Sequence, residues 1–317
     1  MTFNDLAEVY KETRMKPAEY RDDRKISGMR SLASANSHLS SLIGYFGSTL
    51  LRSITVGKIE RFKQYRLSIP SKRGRDRSIT SVNRECEFLR SMLQFALCEG
   101  WIDRNPFELA STPIISKGDE QKRTRTLSRE EEKRILEVCG PETSGSHLYS
   151  LIVFALDTGC RKNEILTLCW SAVDFENRRI VIQALNTKTL TSRIVPLSSR
   201  LRDELLKLYR DQRPDEKVFT HIKHIHQIWK TACKEAQIDN LHFHDLRATF
   251  ATRLIESGMP IEQVAKITGH SQLSILYSHY LRNTSETIER AADLLNRMND
   301  HSREGQGGLA KGGDDAA

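Results

Sequence analysis

One stretch of the chain sets the predicted fold of its second half: residues 242–271 read HFHDLRATFATRLIESGMPIEQVAKITGHS. Its apolar residues recur at helical spacing until Gly258 and Pro260 interrupt the pattern. Glycine commonly ends a helix, and proline favours the first turn of the next one. The stretch therefore predicts two successive helices, the second of which ends at Gly269. The residues predicted to face the core are Leu246, Phe250, Leu254, Ile261, Val264 and Ile267.

Polar residues of the same stretch, and of segments before and after it, carry the candidate chemistry. His244 and Arg247 lie three residues apart, so a helix presents both on one face. His270 follows the glycine that ends the second helix. Far upstream, Arg161 follows a glycine in ALDTGCRKNEIL, where a turn ends an apolar helix, and downstream SILYSHYL contains two tyrosines.

A β-hairpin is predicted between these helical segments. RRIVIQA reads as a strand, NTKTLTS as a turn and RIVPLS as the returning strand. Lys188 therefore lies at the hairpin tip. A lysine at a hairpin tip is ordinarily a solvated surface residue.

The first half of the chain has a helical pattern from Phe3 to Leu109. Between Val82 and Leu97, Phe88, Met92 and Phe95 recur at helical spacing, and Gly100 and Asn105-Pro106 punctuate the end of that helix. The loop SKRGRDRS, residues 71–78, is rich in basic residues. Such a run is either a solvated face or a contact for phosphates, and the candidates are Lys72, Arg73, Arg75, Arg77, Asn83 and Arg84.

Composition shifts divide the chain into domains. Residues 1–110 are predicted to form a helical domain, and residues 111–126 a polar, basic linker with Lys122, Arg123 and Arg125 as further candidates for phosphate contact. Residues 127–300 form a second domain, which opens with Ser128 as an N-cap and Glu131 completing a capping box. Residues 301–317 are predicted to be disordered.

The composition favours a polyanionic partner without proving one. The net charge is +8 and the isoelectric point is near 9.2. No apolar stretch is long enough for a membrane helix, so we expect a cytoplasmic protein without membrane contact. The six cysteines lack zinc-like spacing, and the histidines of THIKHIHQIW lack nearby acidic or cysteine ligands. No metal and no cofactor is expected.

The motifs, in their order along the chain, resemble the tyrosine recombinase or phage integrase family. The resemblance rests on TGCRKNEILTLCWSAVDF, TKTLTSRIVPLS, HDLRATFATRLIESG and QVAKITGHS, with ITSVNRECEFLRSMLQFALCEGWIDRNPF in the first half. It implies a mainly α fold with a small antiparallel β-sheet. It also implies a two-domain C-shaped clamp, in which a helical core-binding domain and an α+β catalytic domain close around duplex DNA.

The resemblance also implies a role for each polar residue. Arginine suits phosphate because its rigid fork donates bidentately and stays charged, which fits Arg161 and Arg247. By the resemblance, Lys188 protonates the departing 5′ oxygen. His244 positions the phosphate or accepts the tyrosine proton, His270 bonds a non-bridging oxygen, and Glu164 holds neighbouring basic groups in place.

The nucleophile is either Tyr280 or Tyr277. The gap from Tyr280 to the downstream helix matches the family, whereas Tyr277 begins the family's Y-x-H tripeptide, and we favour Tyr280. Two further positions depart from the pattern. Ala248 replaces a histidine, and Thr268 replaces the leucine before the GH pair.

The predicted function is that of a site-specific DNA recombinase acting through a 3′-phosphotyrosyl intermediate, for integration or excision of a mobile element. The expected partners are double-stranded DNA and three further copies of the chain, a homo-tetramer on paired sites that associates more weakly without DNA. Two alternatives use the same residues differently. A type IB topoisomerase would relax DNA without pairing sites, and a catalytically silent protein would only bind it.

Overall fold

The structure is a computed structural model, and it describes residues 1–21, 24–71, 74–120, 123–140, 146–183, 192–209, 213–220, 224–270, 273, 276–277, 292–293 and 295–296. In this part of the chain the fold is mainly helical with two small antiparallel sheets. The predicted fold class is confirmed in these respects, and the clamp arrangement stays a prediction. The chain divides into two compact units, Met1–Arg123 and Thr124–Ala317.

The first unit is built on four helices: α1 (Phe3–Arg14), α2 (Leu32–Phe46), α3 (Val56–Ser68) and α4 (Ile79–Cys98). Helix α4 packs on the other three. Phe46 lies between Phe3 and Phe62, with ring centroids 5.6 and 5.3 Å away. Met92 and Phe95 are buried and Phe88 is partly buried, which confirms the predicted apolar face of α4.

The prediction of helix throughout this unit is wrong at one place. Strands β1 (Glu19–Arg21) and β2 (Arg24–Ser27) form a short antiparallel hairpin after α1. Pro17 disfavours continuation of α1, because proline lacks an amide hydrogen. Gly28 then turns with φ of +73°, where a Cβ would lie 1.9 Å from the carbonyl oxygen of Pro17. Strand β1 and residues 25–27 of β2 are exposed, so no alternation of buried apolar residues reveals the hairpin in the sequence.

The segment after α4 is held against the first unit as far as the end of a 3-10 turn at Lys117–Asp119. Ile114 is buried in the core of this unit. The ammonium of Lys63 donates to the carbonyl of Ile114 at 2.7 Å and to the hydroxyl of Ser116 at 3.0 Å. Much of the polar stretch predicted as linker is therefore fixed by side chains of α3 and α4.

The second unit has seven helices and a three-stranded antiparallel sheet among its described residues. The helices are α5 (Arg129–Val138), α6 (Ser146–Thr158), α7 (Lys162–Leu166), α8 (Ser199–Leu208), α9 (Ile225–Glu235), α10 (Asp245–Glu256) and α11 (Ile261–Thr268). The strands, in spatial order, are β3 (Val173–Asp174), β4 (Arg179–Ile182) and β5 (Arg193–Pro196). The predicted capping box of Ser128 and Glu131 is present at the start of α5.

Helix α6 is the centre of this unit and packs on α7, α8 and α10. Its residues 151–156 are all buried, which explains why the sequence there is apolar without interruption. In the sheet, Ile180 pairs with Val195, and both are buried, whereas Ile194 is exposed. The two predicted hairpin strands are confirmed. The tip with Lys188 lies outside the described residues.

The two predicted helices of residues 242–271 are confirmed as α10 and α11. Leu246, Phe250 and Val264 are buried, and Leu254, Ile261 and Ile267 are partly buried. Gly258 and Gly269 have positive φ and end the helices, as predicted. The predicted last helix lies mostly outside the described residues, and so does the predicted disordered tail.

Candidate active site

Three separate segments bring the predicted polar residues of the second unit together. Arg161 is the N-cap of α7, Arg247 lies in α10, and His270 follows α11. The guanidinium of Arg161 donates to the carbonyl of Gly269 at 3.4 Å, and that of Arg247 lies 3.3 Å from Nε2 of His270. The charge of Arg161 acts on Arg247 strongly enough to help lower its pKa.

Arg247 is almost fully buried, with 3% of its surface exposed. Its Nη1 donates to the carbonyl oxygen of Gly159 at 2.9 Å. Burial, and then repulsion from Arg161, lowers the pKa of Arg247 to about 9. A buried guanidinium beside a second guanidinium gains free energy when an anion binds both, since the anion offsets the desolvation and the repulsion.

A glycine turn aims the carbonyl that holds Arg247. Gly159 has φ of +62°, and a Cβ there would lie 2.4 Å from Cδ1 of Phe250. The backbone therefore passes against the ring, and only glycine fits without movement. The TG dipeptide after the apolar helix thus places both the Gly159 carbonyl and the neighbouring Arg161.

Glu164 is the carboxylate at the centre of the cluster, with 1% of its surface exposed. It accepts from Nη1 and the backbone amide of Arg161, each at 2.8 Å, and from Nη2 of Arg193 at 2.6 Å. Burial would raise the pKa of Glu164, but hydrogen bonds from Arg193 and Arg161 outweigh it, and the pKa lies below its usual value. The carboxylate is therefore ionised and holds two guanidinium groups.

Sequence reasoning missed Arg193. This residue begins β5, and its side chain is 8% exposed. Besides Glu164, it donates to the carbonyl oxygen of Ile267 in α11 at 2.9 Å and lies 3.7 Å from the sulfur of Cys160. It thus ties the hairpin strand to α7 and α11. The signal was present, because Arg193 belongs to the same R-I-V-P-L motif that was quoted for Lys188.

His244 is the N-cap residue of α10, and its side chain reaches solvent. Partial burial, then the positive charges of Arg247 and Arg161, lowers its pKa. The imidazole is therefore neutral at physiological pH, and a neutral imidazole can accept a proton.

The remaining predicted catalytic residues cannot be placed with this cluster. Lys188 and Tyr280 lie outside the described residues. Tyr277 lies within them and is 37% exposed. The choice between the two tyrosines therefore stays open.

One predicted DNA contact is wrong. Asn83 is fully buried in α4, and its amide donates to the carbonyl of Ser116 at 3.1 Å and to Glu120 at 2.9 Å. A buried side chain bound to its own chain cannot reach a phosphate. Its sequence neighbour Arg84 is half-exposed and pairs with Glu87 at 2.6 Å.

The other residues predicted to contact DNA differ in the bonds that their side chains make within the protein. Arg75 is exposed, Arg77 donates to the carbonyl of Pro70 at 3.3 Å, and Arg125 is paired with Glu131 of α5. Arg123 lies at the end of the first unit. Lys72, Arg73 and Lys122 lie outside the described residues. Apart from Asn83, these contacts stay predictions.

Family comparisons agree with this geometry. Residues 125–287 match the phage integrase family, and residues 6–114 match the phage integrase SAM-like domain. The chain therefore belongs to the phage integrase family, whose members are tyrosine recombinases. The first match contains all the segments that meet at Arg247.

Two curated relatives are similar over much of the chain. The shufflon-specific DNA recombinase of Escherichia coli is 30% identical over 258 residues, which are 80% of this chain and 62% of the relative. A XerC-like tyrosine recombinase of Caldanaerobacter subterraneus is 27% identical over 66% of this chain and 64% of the relative. The chain thus spans somewhat under two thirds of the length of these relatives.

Solved structures share the fold at low identity. The Tn1549 transposon integrase, solved with circular intermediate DNA, has a TM-score of 0.69 and 18% identity over 92% of this chain and 99% of that one. A lambda integrase dimer bound to a core site has a TM-score of 0.67 and 17% identity over 87% and 97%. Among the described residues, no helix is long and apolar enough to cross a bilayer.

Proposed function

We propose that this protein is a site-specific DNA recombinase that cuts and rejoins DNA strands through a 3′-phosphotyrosyl intermediate. The observation that carries the proposal is the cluster of Arg161, Arg247 and His270 around one place, in a chain of the phage integrase family. Within the described residues, Glu164 is the carboxylate bonded to this cluster. The excess of positive charge suits one phosphodiester.

Each residue of the candidate active site has a role in the proposed reaction. Arg161 and Arg247 bind the non-bridging oxygens of the scissile phosphate, and His270 bonds one of them. Glu164 positions Arg161, and Arg193 positions Glu164. The neutral imidazole of His244 accepts the tyrosine proton or orients the phosphate.

The bonds broken and formed balance without an outside energy source. The hydroxyl oxygen of Tyr280, or of Tyr277, attacks phosphorus, and the bond from phosphorus to the 5′ oxygen breaks. Lys188 protonates the departing oxygen, which leaves a free 5′ hydroxyl. A 5′ hydroxyl of a partner strand then attacks the phosphotyrosine and releases the enzyme, so one ester replaces another and ATP is not needed.

Binding is proposed to use both units. The exposed Arg75 and Arg84 contact phosphates, together with the partly buried Arg77 and with Lys72 and Arg73. Arg123, Arg125 and Lys122 contact phosphates as well. Four copies act on two paired sites and associate more weakly without DNA. Because these contacts release counterions, affinity falls steeply as salt rises.

A nicked suicide duplex tests the chemistry directly. After cleavage, the short strand between the cut and the nick, which carries the free 5′ hydroxyl, diffuses away and cannot reverse the reaction. The covalent intermediate is thereby trapped, and a denaturing gel resolves it as protein linked to DNA. A protein that only binds DNA leaves no adduct, which would overturn the proposal. A topoisomerase forms the adduct and relaxes supercoils on DNA without paired sites, so a strand-exchange assay with one and with two sites separates the two enzymes.

Peptide mapping of the adduct identifies the nucleophile. We expect the link at Tyr280, so that Tyr280→Phe abolishes the adduct and Tyr277→Phe retains it. The opposite result would move the nucleophile to Tyr277 and leave the rest of the mechanism intact.

A further inference from the structure

Thr268 is a buried polar residue to which the proposed mechanism gives no task. It is the last residue of α11, it is fully buried, and its hydroxyl oxygen lies 2.7 Å from Nδ1 of His270. This contact is made within the cluster of the candidate active site. It joins a hydroxyl to one of the clustered polar groups.

We infer that Thr268 is a positioning residue: its hydroxyl accepts a hydrogen bond from Nδ1–H of His270 and thereby presents Nε2 to the phosphate. The inference about the tautomer stands on the geometry alone. Its consequence for catalysis rests on the proposed function.

The surroundings of the hydroxyl determine where its single hydrogen points. Oγ1 of Thr268 lies 2.7 Å from the carbonyl oxygen of Val264 and 3.3 Å from that of Ala265. Carbonyl oxygens only accept, so the hydroxyl donates to Val264, as threonine in a helix commonly does. Its lone pairs then remain for Nδ1 of His270, which must carry a hydrogen. If the hydroxyl instead donated to Nδ1, its lone pair would face the carbonyl oxygen of Val264 at 2.7 Å, and the two oxygens would repel each other.

A second contact fixes the same tautomer independently. Nη2 of Arg247 lies 3.3 Å from Nε2 of His270. A guanidinium has only donors, so Nε2 must offer a lone pair. Hydrogen on Nδ1 and a lone pair on Nε2 satisfy both contacts at once. The other neutral tautomer fails both, because it points an N–H at Arg247 and a lone pair at a hydroxyl oxygen.

This arrangement suits a site that alternates between empty and DNA-bound states. In the empty site, Nε2 accepts from Arg247. When Nε2 takes a proton from solvent, the ring donates from Nε2 to a phosphate oxygen and from Nδ1 to Thr268. The threonine bond is the same in both states, so the ring need not flip. With an apolar residue at this position, the bond that orients the ring is absent.

Nitrogen NMR of the full chain measures the tautomer without DNA. In protein labelled with ¹⁵N-histidine, at a pH where the ring is neutral, we expect a protonated, pyrrole-type Nδ1 and an unprotonated, pyridine-type Nε2 for His270. Comparison with His270→Gln assigns the signals. Because Arg247 also favours a lone pair on Nε2, the role of Thr268 is tested in an Arg247→Met background, where His270 should keep Nδ1–H. Adding Thr268→Val, which keeps the side-chain shape, should then move His270 towards the Nε2–H form, and adding Thr268→Ser should not.

A matched control separates this role from the general loss of a helix hydroxyl. Thr13 in α1 donates to the carbonyl of Val9 at 2.7 Å, the same back-bond that Thr268 makes to Val264. Thr13→Val should leave the His270 spectrum and the cleavage rate unchanged. If Thr268→Val does not fold, Thr268→Ala removes the same hydroxyl without adding an apolar branch.

The cleavage assay measures the consequence for the reaction. Adduct formation by Thr268→Val should fall by up to about tenfold, the effect of losing one neutral hydrogen bond that orients the ring, and Thr268→Ser should restore it. A wild-type spectrum with hydrogen on Nε2, or a spectrum of the Arg247→Met, Thr268→Val double variant that keeps Nδ1–H, would overturn the inference. If the wild-type protein forms no adduct, the proposed function fails while the NMR result still decides the tautomer.

Discussion

Two buried carboxylates of the second unit belong to arginine networks that differ in their balance of charge. Glu132 of α5 binds Arg200 at 2.8 Å and Arg253, and Arg200 also pairs with Asp157. Glu164 of α7 binds Arg161 and Arg193, with Arg247 close by. In the first network two carboxylates face Arg200 and Arg253, and the exposed Arg129 lies 3.6 Å from Glu132. In the second network one carboxylate faces three arginines.

The difference appears in the arginine pKa values. Burial would lower the pKa of Arg200, but the hydrogen bonds that it donates to Asp157 and Glu132 outweigh burial and raise the pKa. The pKa of Arg193, which donates to Glu164, is raised in the same way. Burial and the charge of Arg161 lower that of Arg247 to about 9. Balanced charge stabilises the fold by itself, whereas unbalanced charge is stabilised when an anion arrives. A local excess of buried positive charge is therefore the better indicator of a phosphate site than a count of arginines.

Replacing one arginine by lysine in each network should give the largest effect and the clearest contrast, on adduct formation in one network and on thermal stability in the other. Arg247→Lys removes the fork that binds both Gly159 and a phosphate oxygen, so adduct formation should fall by about 10³ or more. Arg200→Lys should leave adduct formation close to wild type and lower the thermal midpoint instead. Single-turnover cleavage and thermal unfolding of both variants measure this. If Arg247→Lys formed the adduct at the wild-type rate, the two networks would not differ in their contribution to cleavage.

Neutralising each carboxylate separates stability from chemistry. Glu132→Gln and Glu164→Gln should each lower the free energy of unfolding by about 3–5 kcal/mol, because each leaves buried arginines without their anion. Both glutamates have a lowered pKa, so their stabilisation is present above the unfolded value of 4.5 and is lost as pH falls below it. Urea unfolding at two pH values tests this.

A cleavage assay at a temperature where both variants are folded should distinguish Glu132→Gln from Glu164→Gln. Glu132→Gln should retain the adduct, and Glu164→Gln should lose it, because only Glu164 orients Arg161. Equal loss of the adduct in both variants would mean that Glu164 acts on stability alone.

Alkaline pH tests the lowered pKa of Arg247. Its folded pKa of about 9 lies below the ordinary 12.5, so between these values the unfolded chain binds more protons and this group makes folding more favourable as pH rises. DNA binding needs the charged form, so the affinity should fall as pH rises through this range. Fluorescence anisotropy with labelled duplex measures the affinity. Arg247→Met lacks the titrating group and should show a shallower fall.

The smallest effects are expected from two adjacent residues of the first unit. Asn83→Ala removes buried hydrogen bonds and should cost about 1–3 kcal/mol of stability without changing the salt dependence of DNA binding. Arg84→Ala should reduce the slope of log affinity against log salt by about one phosphate contact and leave stability nearly unchanged. A changed salt slope in Asn83→Ala would contradict the burial of that side chain.

Local signals were sufficient where a pattern had one physical meaning. Periodic leucines and phenylalanines, with glycine and proline between them, predicted α10 and α11 with their stops. The capping box at Ser128 and the paired strands on either side of Lys188 were also predicted correctly from the sequence. The hairpin β1–β2 was not, because its strands bury too little to impose an alternating pattern.

Side-chain direction explains the other misses. Asn83 and Arg84 are adjacent and polar, yet a helix turns successive residues to different faces, and one is buried while the other is half-exposed. Arg193 stood in a quoted motif, but its reach to Glu164 and Ile267 depends on how β5 packs beside α7 and α11.

The sequence by itself determined the helices, the paired strands and the family, because capping, periodicity and motif order act over a few residues or along the chain. Tertiary structure alone decided that Arg193 reaches Glu164, that Arg247 is buried against Gly159, and that Arg161 meets Gly269. Those contacts join residues 29, 88 and 108 positions apart, so they depend on packing that no local pattern contains.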